Sequence, residues 1–329
     1  MPPAFPRIAA AILLLSACGA VDAATVRAVE IRGLDELMTE NVRVSLSLVD
    51  AIGKDVRGRR LGYLVREADD ETREALEPFG YYSPEITVER NRDDAGTTVV
   101  ITVVPGEPVR VRNSDIAILG EGGDDRYLKQ DLGAFTPHTG DVFNHALYEA
   151  SKTRITRRLA ERGYFDADFS AHRVEVTRAD HAADIELVWS SGERYDMGRV
   201  TFTQKPKRVV RNRLLEKLIY WKEGQYYHQG RLDRLRTSLV ALDYFSRIDI
   251  EPQPQNAIDH RVPVQVTLTP AKRDVYTAGV SYGTESGAGV RFGLERRYVN
   301  TRGHKALAQV DYAQKRKTLT LQYRIPTFA

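Results

Sequence analysis

A short aromatic motif occurs three times in this chain, and its recurrence decides the fold. The copies read Phe79-Gly80-Tyr81-Tyr82, Gly163-Tyr164-Phe165 and Asp243-Tyr244-Phe245. Their first tyrosines, Tyr81, Tyr164 and Tyr244, are 83 and 80 residues apart. Each copy follows an amphipathic helical pattern and precedes two strand-like patterns. A supersecondary pattern that recurs at a nearly constant period indicates tandem repeats.

Each copy lies in the same order of predicted elements: strand, helix, helix, strand, strand. The clearest of these elements is the second helix of the first repeat, whose apolar residues share one face. These residues are Leu61, Leu64, Val65, Ala68, Thr72, Ala75, Leu76 and Phe79. We therefore predict an α+β fold of three tandem domains, with the aromatic pairs as structural anchors. The six anchors are Tyr81, Tyr82, Tyr164, Phe165, Tyr244 and Phe245.

The segment 39–48 of the first repeat is compatible with two structures. Its valines and leucines alternate at the period of a strand, but Val44, Leu48 and Ala51 also share one face of a helix. Periodicity alone does not decide between the two.

The first 23 residues predict a secretory signal peptide. Arg7 precedes a short apolar core at 8–15, and Val21-Asp22-Ala23 supplies the small residues of a cleavage site. The segment 15–19, which contains Cys18, also resembles the lipobox at which bacterial lipoproteins are cleaved and acylated. Both alternatives predict an exported protein.

Composition excludes several classes of function. The 329 residues are 42% hydrophobic and 28% charged, as in ordinary folded proteins. Because 48 basic residues nearly balance 45 acidic ones, the chain lacks the strong positive charge typical of nucleic-acid binding. Cys18 is the one cysteine, so no disulfide can form within the chain. No apolar run approaches the ~20 residues of a membrane-spanning helix.

After Pro270 the pattern changes to four alternating strands without helices. Strands of about ten residues with one apolar and one polar face are typical of membrane β-barrels. An ordinary antiparallel sheet would show the same alternation, but the export signal and the run of hairpins favour a barrel. The predicted divisions are a signal peptide at 1–23, repeats at 24–106, 107–193 and 194–271, and barrel strands at 272–329.

Catalytic motifs are weak. Gly279-Val280-Ser281-Tyr282-Gly283 matches the nucleophile elbow, but that elbow needs a strand-to-helix turn, and Ser281 lies within an alternating strand. The seven histidines are scattered without the spacing of metal ligands. We therefore predict no enzymatic activity, no catalytic residue, no metal and no cofactor.

The threefold unit resembles the POTRA domain. Three such units ahead of strands that contain the segments 297–304 (RYVNTRGH) and 323–326 (YRIP) resemble the TamA family of bacterial outer-membrane assembly factors, a superfamily that includes BamA. The resemblance covers residues 26–329. It implies a sixteen-stranded transmembrane barrel, of which this chain holds about four strands. The hallmark interior loop of that family has no counterpart here.

The resemblance also implies a function and partners. It implies a protein of the outer membrane, with POTRA domains in the periplasm, that helps to insert client β-barrel proteins such as autotransporters. The implied partners are the lipid bilayer, these clients and an inner-membrane-anchored, TamB-like protein that spans the periplasm. No nucleic acid is implied. The alternative is a purely periplasmic POTRA scaffold without insertion activity.

In that family the first barrel strand forms one side of a seam that accepts a client strand, which here implies Asp274–Gly283. The candidate seam residues are Tyr276, Thr277, Gly279, Ser281 and Tyr282. Glycine inside a strand weakens it, and tyrosines at the two ends suit the membrane interfaces. The alternative is that glycine only relieves crowding inside the barrel.

Overall fold

The computed structural model describes residues 23–93, 96–284 and 287–327. Nearly all of the predicted signal peptide, with Cys18, lies outside these residues. The chain folds as two compact units. The first unit holds the described residues up to 113 together with 137–148 and 175–184, and the second holds 114–136, 149–174 and the described residues from 185 onward.

The first repeat is a four-stranded sheet covered by two helices. Its elements are β1 (Ala23–Arg32), α1 (Glu36–Ser45), β2 (Asp55–Arg57), α2 (Gly58–Leu76), β3 (Glu85–Asp93) and β4 (Gly96–Val104). The strand order is β2-β1-β4-β3, with β1 parallel to β4 and β3 antiparallel to it. Leu61, Leu64 and Ala68 of α2 are buried in the core with Val99 and Ile101 of β4, as the helical stripe predicts.

The ambiguous segment 39–48 is helical as far as Ser45, and a capping residue favours the start of this helix. The Asp35 carboxylate accepts a hydrogen bond from the Met38 N–H at 2.8 Å, which satisfies one free donor at the start of α1. Met38 and Val42 are buried, whereas Val44 is 71% exposed. The strand alternative is therefore wrong. The helical face proposed for Val44 is wrong as well, because the cap starts the helix earlier and turns a different face inward.

The second and third repeats have the same strand–helix–helix–strand–strand order, which confirms the predicted α+β fold with tandem POTRA-type domains. The second contains β5 (Arg110–Leu119), α3 (Arg126–Gly133), α4 (His145–Glu161), β6 (Asp168–Thr177) and β7 (Ala182–Ser190). The third contains β8 (Asp196–Gln204), α5 (Asn212–Glu216), α6 (Gln229–Ala241), β9 (Phe245–Pro252) and β10 (Arg261–Pro270). The strand orders are β5-β7-β6 and β8-β10-β9. In each repeat the last strand therefore lies between the first and the middle one.

Four antiparallel strands follow the third repeat, in agreement with the predicted run of hairpins. They are β11 (Asp274–Gly283), β12 (Gly287–Arg296), β13 (Lys305–Ala313) and β14 (Lys317–Arg324). They form a separate sheet in the order β11-β12-β13-β14, so β11 and β14 are its two edges.

A pair of backbone hydrogen bonds joins the first repeat to the second. The Gly80 carbonyl, just ahead of the aromatic pair, accepts from the Val109 N–H at 2.8 Å. The Val109 carbonyl in turn accepts from the Phe143 N–H at 2.8 Å, two residues before α4. One repeat's motif is thus tied to both the first strand and the second helix of the next repeat.

The same two bonds recur between the second repeat and the third. The Gly163 carbonyl accepts from the Tyr195 N–H at 2.9 Å, and the Tyr195 carbonyl accepts from the Tyr227 N–H at 2.9 Å. Tyr227 stands two residues before α6, as Phe143 stands before α4. The connection between neighbouring repeats, which we call the joint, therefore has the same hydrogen bonds in both places.

The residue before each aromatic pair has a left-handed backbone conformation in all three repeats. Its φ is +91° at Gly80, +93° at Gly163 and +54° at Asp243. At the two glycines a side chain would also collide with the next repeat, since a Cβ at Gly163 would lie 2.8 Å from Tyr227 Cβ. The position therefore requires glycine twice, and it tolerates aspartate in the third repeat, since Asp and Asn adopt this conformation more readily than most residues.

The two aromatic residues of each anchor pair have different neighbours in the first two repeats. Tyr81 packs on the core of its own repeat. Tyr82 reaches the next repeat, where its hydroxyl lies 2.6 Å from His145 Nε2. Burial, with the nearby Glu77 carboxylate, raises the pKa of Tyr82 to about 12, so the hydroxyl stays protonated.

The second repeat divides its anchors in the same way. Tyr164 is buried, 4% exposed. The Phe165 ring lies 5.6 Å from the Tyr195 ring and 4.7 Å from the Tyr227 ring, both in edge-on contact. Phe165 therefore packs on the third repeat.

A buried ion pair stabilises the helices of the second repeat. Asp125 caps α3 by accepting from the Tyr127 N–H, and its carboxylate lies 2.6 Å from the Arg162 guanidinium just beyond α4. The side chains are 3% and 14% exposed. Burial alone would raise the pKa of Asp125, but the hydrogen bond from Arg162, with its charge, lowers it below its usual value.

We expect Gly163→Ala to destabilise the chain far more than Gly224→Ala. Both glycines have positive φ, +93° and +79°, so each alanine costs about 1–2 kcal/mol of backbone strain. A Cβ at Gly224 meets nothing closer than 3.9 Å, whereas one at Gly163 collides with Tyr227, which adds about 1–3 kcal/mol of overpacking. Urea unfolding measured by tryptophan fluorescence tests this, because the chain's two tryptophans are buried in the second and third repeats. Equal losses for the two variants would contradict the close packing at the joint.

The Asp125 pair predicts a dependence of stability on pH. Because the folded pKa is lowered, the pair stabilises the fold above the unfolded pKa of about 4, and this contribution is lost as the pH falls through the folded value. We expect Asp125→Asn to keep the cap but lower stability at pH 7 by about 3 kcal/mol, since Arg162 loses its counter-ion. The difference from the natural protein should vanish in strong acid.

Asp35→Asn is the matched control for this prediction. Asp35 also caps a helix, and no ion pair of its carboxylate occurs within the described part of the chain. Its substitution should therefore change stability little at either pH. Hydrogen exchange of α3 and α4, followed by mass spectrometry, locates the effect. A loss for Asp125→Asn no larger than that for Asp35→Asn would exclude the ion pair as a source of stability.

Candidate functional site

The four-stranded sheet has one apolar and one polar face. In register across β11 to β14, Tyr276 pairs with Leu294, Leu294 with Ala308, and Ala308 with Leu321. Leu294 is half-buried, and ten other large side chains of this face are exposed: Tyr276, Val280, Tyr282, Val290, Phe292, Val310, Tyr312, Leu319, Leu321 and Tyr323. On the other face, Arg291 forms an ion pair with Asp311. The predicted alternation is therefore present in all four strands.

All five candidate seam residues lie on β11, an edge of this sheet. In the described residues β11 pairs along its length with β12 alone, so the backbone groups of its other side have no strand partner. Tyr276 and Tyr282 belong to the apolar face and are 78% and 82% exposed. Thr277, Gly279 and Ser281 belong to the polar face. The role of these residues as a seam stays a prediction.

Two glycines near this edge have different surroundings. A Cβ at Gly279 would meet no described atom within 4 Å, whereas one at Gly293 of β12 would collide with the Thr277 hydroxyl. Relief of crowding within the described residues therefore explains Gly293 and does not explain Gly279.

The nucleophile-elbow motif lies within a strand and does not form the strand-to-helix turn that such an elbow requires. Ser281 stands inside β11, opposite Gly289 of β12, and the chain continues from there into another strand. No group of three or more potential metal ligands occurs among the residues that the structure describes. The predicted lack of an enzymatic activity stays a prediction.

The loop between β12 and β13 makes tertiary contacts that the sequence did not reveal. Tyr298 of this loop is 8% exposed and belongs to the hydrophobic core of the third repeat. Its hydroxyl donates to the Ala271 carbonyl at 3.0 Å. Arg273, in the connection to β11, donates to the carbonyls of Tyr298 and Val299 at 3.0 and 2.9 Å. The loop thus fastens the sheet to the third repeat.

Tyr244, the anchor of the third repeat, is the centre of this junction. It is 1% exposed, and its hydroxyl donates to the Gly303 carbonyl of the loop at 2.5 Å. Burial raises the pKa of Tyr244 to about 12, so this donor keeps its proton in the physiological range. Gly303 has φ +77°, and a Cβ there would lie 2.8 Å from the Tyr244 hydroxyl. The close contact therefore requires a glycine.

Two further bonds surround Tyr244. Arg297 Nε lies 2.9 Å from the carboxylate of Asp243, the left-handed residue of the third motif. The Arg211 N–H, just before α5, donates to the Thr301 carbonyl at 2.9 Å. The segment 297–304 (RYVNTRGH) carries part of the family resemblance. Its Tyr298 and Gly303 are the residues that could have suggested docking, but only the structure shows that the tyrosine is buried and that the glycine has positive φ.

Comparisons with known proteins agree with this architecture. Residues 28–105 match the family described as "POTRA domain TamA domain 1", and residues 111–188 match the POTRA family described as "Surface antigen variable number repeat". The first two repeats are therefore similar to POTRA domains, and the first of them is similar to a POTRA domain of the TamA type. The domain boundaries proposed from the sequence stay predictions.

Several solved structures are similar to this chain, and the first of those described next has the same fold over the part that matches. BamA from Haemophilus ducreyi lacking POTRA domains 1–3 is 17% identical, with a TM-score of 0.55 over 67% of this chain and 40% of that one. The chain thus spans about two-fifths of the length of that structure. BamA POTRA3–5 from Haemophilus influenzae is 19% identical over 75% and 96%, with a TM-score of 0.42. CdiB from Acinetobacter baumannii is 12% identical over 90% and 52%, with a TM-score of 0.37.

No helix among the described residues of this POTRA-containing chain is both long and apolar enough to cross a membrane.

We expect Tyr244→Phe to loosen the junction while leaving the fold of the third repeat intact. The change leaves the Gly303 carbonyl without its donor, which costs about 1–3 kcal/mol in a buried site. Hydrogen exchange should rise in the loop 297–304 more than in β8 to β10. Tyr63→Phe is the control, since the Tyr63 ring is exposed and the structure shows no hydrogen bond from its hydroxyl. Unchanged exchange in the loop would show that Tyr244 does not hold it.

Proposed function

We propose that this chain is the periplasmic part and first barrel strands of an outer-membrane assembly factor of the TamA type. Its POTRA repeats would lie in the periplasm and β11 to β14 in the outer membrane. The matches of residues 28–105 to a TamA-type POTRA domain and of residues 111–188 to the POTRA family support this assignment. The exposed apolar face of the sheet supports the membrane location, since a transmembrane barrel turns such a face to lipid and keeps polar residues inside.

The free edge of β11 is the single observation that carries the proposed mechanism. Its unpaired N–H and C=O groups can bond to an incoming strand, as in other cases of strand addition. In a bilayer no water satisfies such groups, and each unpaired one costs several kcal/mol. The clients are therefore proteins that must form membrane strands, namely outer-membrane β-barrel proteins such as autotransporters.

The proposed periplasmic partner is a TamB-like protein anchored in the inner membrane. This proposal rests on the match of the first repeat to a TamA-type POTRA domain. Copurification of such a protein with the tagged natural protein, from detergent-solubilised envelopes, tests it.

We also propose that the activity is not enzymatic. Ser281 is then one residue of the templating edge, and Ser281→Ala should leave client assembly unchanged. A strong loss of assembly with this variant, at normal protein levels in the membrane, would contradict this.

We expect single cysteines at Thr277, Gly279 and Ser281 to form crosslinks with the terminal strand of a stalled client. The three positions share one face of β11, so the partner residues on the client should also step by two. The free space around Gly279 lets a cysteine enter without strain. The experiment uses the natural full-length protein in outer membranes, with crosslinked species identified by mass spectrometry.

Thr318 and Thr320 of β14 provide matched controls. Through the strand pairings they lie on the same face as Gly279 and Thr277, at the other edge of the four strands. Client crosslinks from β14 as strong as those from β11 would refute a seam at β11. A protein that fractionates with soluble periplasmic proteins would support the competing function, a POTRA scaffold without insertion activity.

A further inference from the structure

A cavity of about 270 Å³ lies beside the junction of the third repeat and the four-stranded sheet. Most of its polar lining is positively charged. The charged or titratable residues are Arg211, Arg213, Lys217, Arg302 and His304, and Leu214, Thr301 and Pro326 complete the lining. Among the residues that the structure describes, no acidic side chain contributes to this lining.

Two segments far apart in sequence supply these side chains. Arg211, Arg213 and Lys217 come from the α5 region, and Arg302 and His304 come from the loop after β12. The hydrogen bond from the Arg211 N–H to the Thr301 carbonyl holds the segments together. The junction around Tyr244 therefore forces like charges into one place.

The three arginines that line this cavity are not neutralised by any carboxylate that the structure describes. Within the described ranges, Arg211, Arg213 and Arg302 have no carboxylate within 4.0 Å, whereas nearby Arg296 and Arg297 are paired with Asp274 and Asp243. The segment 205–217 carries six lysines and arginines against one glutamate, in a chain that is otherwise nearly balanced. Clustered like charges repel each other unless an anion offsets them.

We propose that this cavity binds a phosphate group. Guanidinium groups bind phosphate oxygens through paired hydrogen bonds, and several cations can share the charge of one phosphate. Pro326, which follows β14, lines the cavity, and the loop 297–304 joins β12 to β13. The cavity thus lies at the end of the sheet nearest the third repeat, where β11 begins and β14 ends.

The position of the cavity at this end of the sheet indicates where the phosphate group comes from. This inference rests on the proposed function. If the repeats are periplasmic and the strands lie in the membrane, this end of the sheet meets the headgroups of the periplasmic leaflet. Basic groups next to a bilayer attract anionic phospholipids. The bound group is then the phosphate of an anionic headgroup, and the site helps to set the height of the third repeat at the membrane surface.

The test compares two double variants of the 329-residue chain, purified in detergent. Arg213→Gln with Arg302→Gln removes two charges that line the cavity, and neither side chain makes a described hydrogen bond. Lys207→Gln with Arg208→Gln removes the same charge from exposed neighbours that do not line it. Binding is measured to inorganic phosphate, to phosphatidylcholine vesicles, and to the same vesicles with added phosphatidylglycerol.

We expect the cavity variant to lose about tenfold or more in affinity for the phosphate-bearing probe that the natural chain prefers, with little change in the control. A loss confined to phosphatidylglycerol vesicles identifies the headgroup as the source. A loss confined to inorganic phosphate identifies a free phosphate, and the shared chemistry still holds. Equal losses in the two double variants would overturn the site. So would a natural chain that binds neither inorganic phosphate nor phosphatidylglycerol vesicles better than the zwitterionic phosphatidylcholine vesicles.

Failure of the phosphate proposal can be distinguished from failure of the proposed function. A cavity variant that has lost phosphate binding can still be tested for client crosslinks at β11, since none of its changes lies on that strand. Client crosslinks in a natural chain that does not bind phosphate would contradict only the cavity proposal. Phosphate binding in a chain that forms no client crosslinks would contradict only the proposed seam at β11.

Discussion

The carbonyl of the left-handed residue ahead of the aromatic pair is the group on which the chain of repeats depends. At Gly80 and Gly163 it accepts the first hydrogen bond of the next repeat, and the bonded residue passes a second bond to the residue before the next long helix. Only a backbone without a side chain can approach so closely. The motif is therefore both the end of one domain and the attachment point of the following one.

In the first two repeats, the second aromatic residue of the pair completes the joint. Tyr82 and Phe165 leave their own repeats and lie against rings that precede or begin the next long helix. Backbone bonds set the direction of the connection, and ring contacts add buried area at the same point. Neighbouring repeats are thus connected by specific, directional contacts as well as by a short peptide link, which limits rotation at each joint.

The third repeat has no fourth repeat to bind, and the same position serves a different connection. Asp243 replaces the glycine and uses its carboxylate to hold Arg297, while Tyr244 holds the loop carbonyl of Gly303. The sheet that carries the free edge of β11 is therefore fixed to the POTRA array through the loop between β12 and β13.

The sequence by itself determined the number of repeats, the order of their elements and the two faces of the last four strands. These features depend on local periodicity, which residues near each other in the chain specify. It left segment 39–48 open, because its alternation fits two periods and only the Asp35 cap decides for a helix. It also missed the docking of the loop at 297–304, the passage of Phe165 into the next repeat, and the meeting of Arg211 with Thr301. Only the tertiary structure decided these, because each joins residues far apart in the sequence, and no local pattern records which distant groups will meet.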